Sequence, residues 1–165
     1  MPTIRKYIAI TALVLGLGAS GAVPAMGETK TAHKYAATVQ SVALSTADGY
    51  PAVGGKAVLV GTVKSDLFGE GALIDRVTIT GSTFEPTVFA FEGTERGFAD
   101  HGTLRSRFTG TATVQADGTQ VLVIHGRVTG GTERYLGARG RYTFNGTTAP
   151  GSTVVIGSSK GKISY

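Results

Sequence analysis

The chain of 165 residues contains no cysteine and no tryptophan. Without cysteine there is no disulfide, no thiolate zinc site and no thiol nucleophile, so the fold must be held by packing. With aromatic residues at 8% and none of them tryptophan, few large side chains are at hand to fill an interior, which leaves room for a cavity. Charged residues are also sparse, at 16%, and the basic ones are dispersed. No Lys/Arg run interleaves with aromatics, so nucleic acid is not an expected partner. His33, His101 and His125 lie far apart without ligand spacing, and no metal site is expected. Gly81-Ser82-Thr83 lacks the Gly-x-Ser-x-Gly elbow, so serine-based hydrolysis has no support. Beyond Gly27 no window carries the apolar period of an amphipathic helix.

What the chain has in abundance is glycine: 25 residues, scattered without a repeat and mostly beside Thr, Ser, Val or Phe. That distribution fits many short strands broken by turns and bulges. At the amino end, Arg5 and Lys6 precede an uncharged, mainly apolar run from Tyr7 to Ala22, and small residues follow to Gly27. This reads as a signal peptide over residues 1–27, cut after Ala25 or Gly27, and a single domain over residues 28–165. The expected location is secreted or extracytoplasmic, with no stable membrane insertion once the signal is removed. The domain then carries 14 basic and 11 acidic residues, a mild excess.

Strand-like alternation runs through the domain. Tyr35, Ala37 and Val39 share one face, Ala57 to Lys64 and Leu73 to Thr80 are further strands, and Phe84 to Glu92 is another, interrupted by Pro86. Along Leu104 to Val114, Leu104, Ser106, Phe108, Ala112 and Val114 oppose Arg105, Arg107, Thr109, Thr111 and Thr113. Ala116-Asp117-Gly118-Thr119 closes a hairpin onto Val121 to Val128. Ala138, Gly140, Tyr142 and Phe144 alternate with Arg139, Arg141, Thr143 and Asn145, and Val154 to Gly157 and Lys162 to Tyr165 end the chain in β character. Seven or eight such strands make either a sandwich or a closed barrel, and alternation alone does not separate them.

Between two of these strands lies Gly130-Gly131-Thr132-Glu133-Arg134-Tyr135-Leu136-Gly137-Ala138-Arg139-Gly140, a glycine-punctuated stretch that predicts a tight, non-helical crossing. With Val128 before it and Tyr142 and Phe144 after it, the run resembles the glycine-rich strand connection of the allene oxide cyclase and dirigent barrel family. His101-Gly102-Thr103-Leu104 to Thr113 is similar to the hairpin that precedes it, and Gly151 to Tyr165 to the closing strand, so the likeness spans Lys34 to Tyr165. Exported bacterial members are the nearest in kind. The resemblance implies an all-β, eight-stranded antiparallel β-barrel of the allene oxide cyclase-like type, with an apolar central cavity and dimeric or trimeric assembly. It also implies isomerase, cyclase or coupling-guide activity without a cofactor. Glu133 stands where the family often has Gly, which puts the turn geometry in question at that residue.

Carboxyl groups on the apolar parity are the candidate acids. Asp75 shares a face with Leu73, Val77 and Ile79, and Glu85 shares parity with Phe89 and Phe91. In an apolar cavity the charged form of such a group is disfavoured, so it can donate a proton near neutral pH, as epoxide opening or cyclisation requires. Placed otherwise, Asp75 pairs with an Arg at a barrel rim and Glu85 is a solvated turn residue. Ser106 and Tyr142 are the expected hydrogen-bonding ligand contacts, and Phe108 and Phe144 the expected wall. His125 and Arg127 share a mixed face with Val121 and Val123, which suits a contact between copies. Arg105, Arg107, Arg139 and Arg141 form a basic outer stripe if their strands lie close together, a solvated face or a dock for an acidic partner. The expected function is an exported barrel that binds a small apolar molecule and acts on it as a cofactor-free isomerase or cyclase. The alternatives are a non-catalytic dirigent-like binding module and a structural or interaction barrel filled by its own side chains.

Overall fold

The structure, a computed structural model, describes residues 31–47, 52–84 and 87–165. Eight strands follow one another: β1 (Ala32–Ala47), β2 (Lys56–Ser65), β3 (Gly69–Phe84), β4 (Thr87–Ala99), β5 (Gly102–Val114), β6 (Gln120–Gly131), β7 (Arg139–Thr148) and β8 (Val154–Ser164). Each pairs antiparallel with the next, and β8 pairs with β1 from Ala32↔Ser164 to Val42↔Val154, closing a barrel with no free edge. The barrel alternative is therefore the correct one, and the strand count is eight.

Closed barrels need interior side chains that fit a narrow bore, and here glycine does much of that fitting. One interior row runs Tyr142 (β7), Gly126 (β6), Phe108 (β5), Gly93 (β4), Val77 (β3) by register. A Cβ on Gly126 would sink into the Tyr142 ring, and one on Gly93 into the Phe108 ring. Each glycine thus vacates the space that the neighbouring ring occupies, which explains why glycine stands opposite an aromatic residue on the adjacent strand.

Two apolar clusters form at different levels. One holds Val128, Tyr135, Ala138, Tyr142 and Ile163, with Leu67, Phe68, Leu104 and Tyr165 packed on it. The other holds Ile79, Phe91, Phe108 and Ala112, with Phe89, Leu122 and Ile124. Along β5 the buried Ser106 lies between Leu104 of the first cluster and Phe108 of the second, so a polar level separates the two.

Several boundaries differ from those the alternation predicts. Phe84 closes β3 instead of opening β4. Val154 to Gly157 and Lys162 to Tyr165 are parts of one strand, β8, whose inward side in the middle is only Gly157, Ser159 and Gly161. Small residues there mask the alternation, while β1 and β7 supply backbone partners on both sides. The glycine-punctuated crossing contains a single 3-10 turn, Glu133–Tyr135, with Tyr135 N donating to Thr132 O at 2.9 Å. Gly137 holds φ +73°, as such a turn requires of glycine, whereas Gly131 ends β6 and is small because a Cβ would meet the carbonyls of Thr103 and Tyr135. The Asp-Gly hairpin forms as expected: Gly118 holds φ +85°, and Thr119 N donates to Asp117 Oδ1 at 2.9 Å.

Candidate functional site

The polar level of the barrel is built from three neighbouring strands. Register places Asp75 of β3 directly opposite Glu95 of β4, and Glu95 directly opposite Ser106 of β5. All three face inward, into a central cavity of about 290 Å³ whose walls include Phe91, Phe108, Phe144, Leu73, Leu122 and Ile124. Tyr142 of β7 and Tyr35 of β1 reach the same cavity, with ring centroids 6.3 Å apart and near-perpendicular planes.

Facing carboxyl groups in a sheet repel when both are charged, and burial disfavours either charge. Burial first, and then the charge of Glu95, push the Asp75 carboxyl up to about 8. Glu95 is also raised by burial, but the hydroxyls of Ser106 and Tyr142 act in the opposite sense by favouring its anion. Of the two, Glu95 is thus the better placed to carry the negative charge and Asp75 to hold the proton. Burial, and next the Glu95 charge, raise the Tyr142 phenol well above its ordinary value, and the same causes raise Tyr35, so both remain neutral donors.

Two atoms in this cluster are deeply buried and close no hydrogen bond within the protein, Asp75 Oδ1 and Tyr142 Oη. The Tyr142 hydroxyl faces the Glu95 carboxylate and favours its charge, yet it stops short of a hydrogen bond of full geometry. Buried polar atoms are nearly always satisfied, so these two atoms at one cavity wall can hydrogen-bond a molecule in the cavity, water or ligand.

Of the residues singled out in the sequence, Asp75, Ser106, Phe108, Tyr142 and Phe144 all line this one cavity. Asp75 makes no rim ion pair: its neighbour Arg76 faces outward, and among the described residues the sole ion pair is Lys64–Glu70, at 3.0 Å. Glu85 lies outside the described residues. Glu95 was not among the expected residues, although its signal was present: the inward parity of Phe89 and Phe91 continues through Gly93 to Glu95, past the predicted strand end at Glu92. His125 stands outside the barrel, its Nδ1 3.4 Å from Thr143 Oγ1. Among the described residues no three metal-binding side chains converge. No protein-family model matches this chain, and no curated protein matches its sequence.

Chemically, the arrangement is an acid beside a base in an apolar chamber. Asp75 can protonate or polarise an oxygen and Glu95 can take a proton from carbon, within walls that are mostly apolar.

Proposed function

We propose that this chain is an allene oxide cyclase-like barrel that takes a small apolar molecule bearing an oxygen and isomerises or cyclises it without a cofactor. The observation that carries this reading is the facing Asp75–Glu95 pair at the wall of an apolar cavity with unsatisfied polar atoms, and burial together with the Glu95 charge, which favour a protonated Asp75, supports it. Asp75 donates its proton to the substrate oxygen, Glu95 removes a proton from a substrate carbon, and proton exchange between the facing carboxyls restores the starting state. The reaction is redox-neutral and needs no co-reactant. The glycine-rich connection and the closed barrel both support the family resemblance, and export follows from the reading of residues 1–27. Outward-facing cations such as Arg107, Arg127 and Arg141 oppose insertion of the barrel itself into a bilayer.

Native mass spectrometry of the mature protein against a panel of lipid-derived and terpenoid epoxides, ketones and alcohols tests the reading. A one-to-one adduct with an apolar oxygen-bearing molecule, converted to an isomer of equal mass, is the expected result. Asp75→Asn and Glu95→Gln should each retain binding while slowing conversion by about 100-fold or more, the usual contribution of a positioned acid or base. Binding without conversion would leave a dirigent-like binding module, and no binding across the panel would leave a barrel filled by its own side chains.

A further inference from the structure

The outward face of the barrel carries a second feature, unrelated to the cavity. The row that runs Arg76 (β3), Thr94 (β4), Arg107 (β5), Arg127 (β6), Arg141 (β7), Lys162 (β8) and Lys34 (β1) is continuous by register across seven strands. Every residue in it is exposed, and from β5 round to β1 each cation stands directly opposite the next. Arg105 and Arg96, also directly opposite each other, flank the row on one side, and Lys160 adds charge on the other.

Adjacent strands lie about 4.8 Å apart, and like charges directly opposite in a sheet destabilise it. A protein whose only requirement was solubility would intersperse acidic residues here. Among the described residues, none of the row's cations forms an ion pair. Within the outer groove over β3 to β6, of about 570 Å³, Glu92 is the one carboxylate beside Arg76, Arg107 and Arg127. Other outward positions around the row include the hydroxyls of Thr109 and Thr143, the amide of Asn145 and the imidazole of His125.

We propose that this belt binds an acidic polysaccharide, a flexible glycan chain carrying regularly spaced carboxylate, sulfate or phosphate groups. Complementarity of charge demands an anion, and the shape of the belt selects among anionic partners. A membrane surface is flat and would meet one side of a barrel, whereas the row passes round most of its circumference. Duplex DNA, with a persistence length of about 50 nm, is too stiff to follow it. Single-stranded nucleic acid is bound through aromatic stacking platforms, and no aromatic ring stands in the row. A flexible polyanion with hydroxyl groups matches both the charges and the Thr and Asn side chains between them.

The test uses heparin and polygalacturonate as probes, with neutral dextran as the uncharged control. Calorimetric titrations would be run at about 50 and about 200 mM salt, a range over which multi-contact electrostatic binding weakens steeply. One variant, Arg107→Gln/Arg127→Gln/Arg141→Gln, removes the three central of the row's six cations, and Lys56→Gln/Lys64→Gln/Arg134→Gln removes the same charge elsewhere. The expected result is salt-sensitive binding to both acidic glycans and none to dextran, weakened about tenfold or more by the belt variant and under about threefold by the other. Because repelling charges are removed, the belt variant should also melt no lower than the parent. Equal losses in the two variants, absence of glycan binding at the lower salt, or tighter binding to oligo-dT or phosphatidylglycerol vesicles at matched charge would each overturn the proposal. A belt variant that melts lower would do the same, since it would show these cations to be partnered.

Discussion

Glu133 holds φ +52°, where the Cβ of any side chain crowds its own backbone, at a cost of about 1–2 kcal/mol. Glycine is free of that crowding but loses more entropy on folding, so Glu133→Gly should stabilise the protein by about 0.5–1 kcal/mol, read as a raised Tm in thermal melts. The resemblance to the allene oxide cyclase and dirigent barrels implies glycine at this residue, and the φ value supplies the reason a side chain there matters. Asp75 is the second residue whose environment works against it. Burial and the Glu95 charge raise its carboxyl from 3.8 to about 8, so across that interval the folded chain retains a proton that the unfolded chain releases. Stability must then fall as pH rises through the same window, by up to about 1.4 kcal/mol per pH unit. The titratable groups coupled to Asp75 are Glu95 and Tyr142, and of these the Glu95 charge is the one that raises it. Asp75→Asn should flatten that slope in urea titrations run from pH 4 to pH 8 (a window taken from the 3.8 and about 8 above). An unchanged slope would mean that the carboxyl ionises normally.

Elements were legible where large apolar residues alternate with polar ones and illegible where small residues break the contrast. β5 and β6 follow their predicted runs closely, because Leu104, Phe108, Leu122 and Ile124 face in against Arg and Thr facing out. β8 split in two because Gly157, Ser159 and Gly161 carry no hydrophobic signal. The same weakness hid Glu95: the alternation along β4 passes through Gly93, and the predicted strand stopped one residue before it. These glycines are positions where the barrel makes room for a ring. Gly126→Ala would drive a methyl group into Tyr142, and overpacking of this kind typically costs about 1–3 kcal/mol. It should also displace the Tyr142 hydroxyl from Glu95, so ligand affinity falls more than stability alone accounts for. Denaturant melts and binding titrations on one preparation would separate the two effects.

At the scale of the whole molecule, the alternation established an all-β chain but left barrel and sandwich equal, because closure is decided by the pairing of β1 with β8, the two ends of the domain. That pairing places Tyr35 of β1 in the cavity with Tyr142, a contact no local pattern announces. Outside, the register gathers dispersed basic residues into one belt: Arg107 and Arg141, foreseen as a stripe, are joined through Arg127 because β6 lies between β5 and β7. Repulsion along the belt predicts that the free protein gains stability with added sodium chloride, since screening lengths shrink to about 8 Å near physiological ionic strength. A Tm that falls or stays level as salt rises would show the belt to be neutralised within the chain.

The proposed activity depends above all on one proton shared unequally by Asp75 and Glu95. Carbon-13 NMR of labelled side-chain carboxyls, followed through pH in the parent and in Asp75→Asn, measures it directly. The account predicts one carboxyl that keeps its proton at neutral pH and titrates near 8, with that signal missing from the variant. Two carboxyls that both ionise in the ordinary acidic range would contradict it and remove the acid from the chamber.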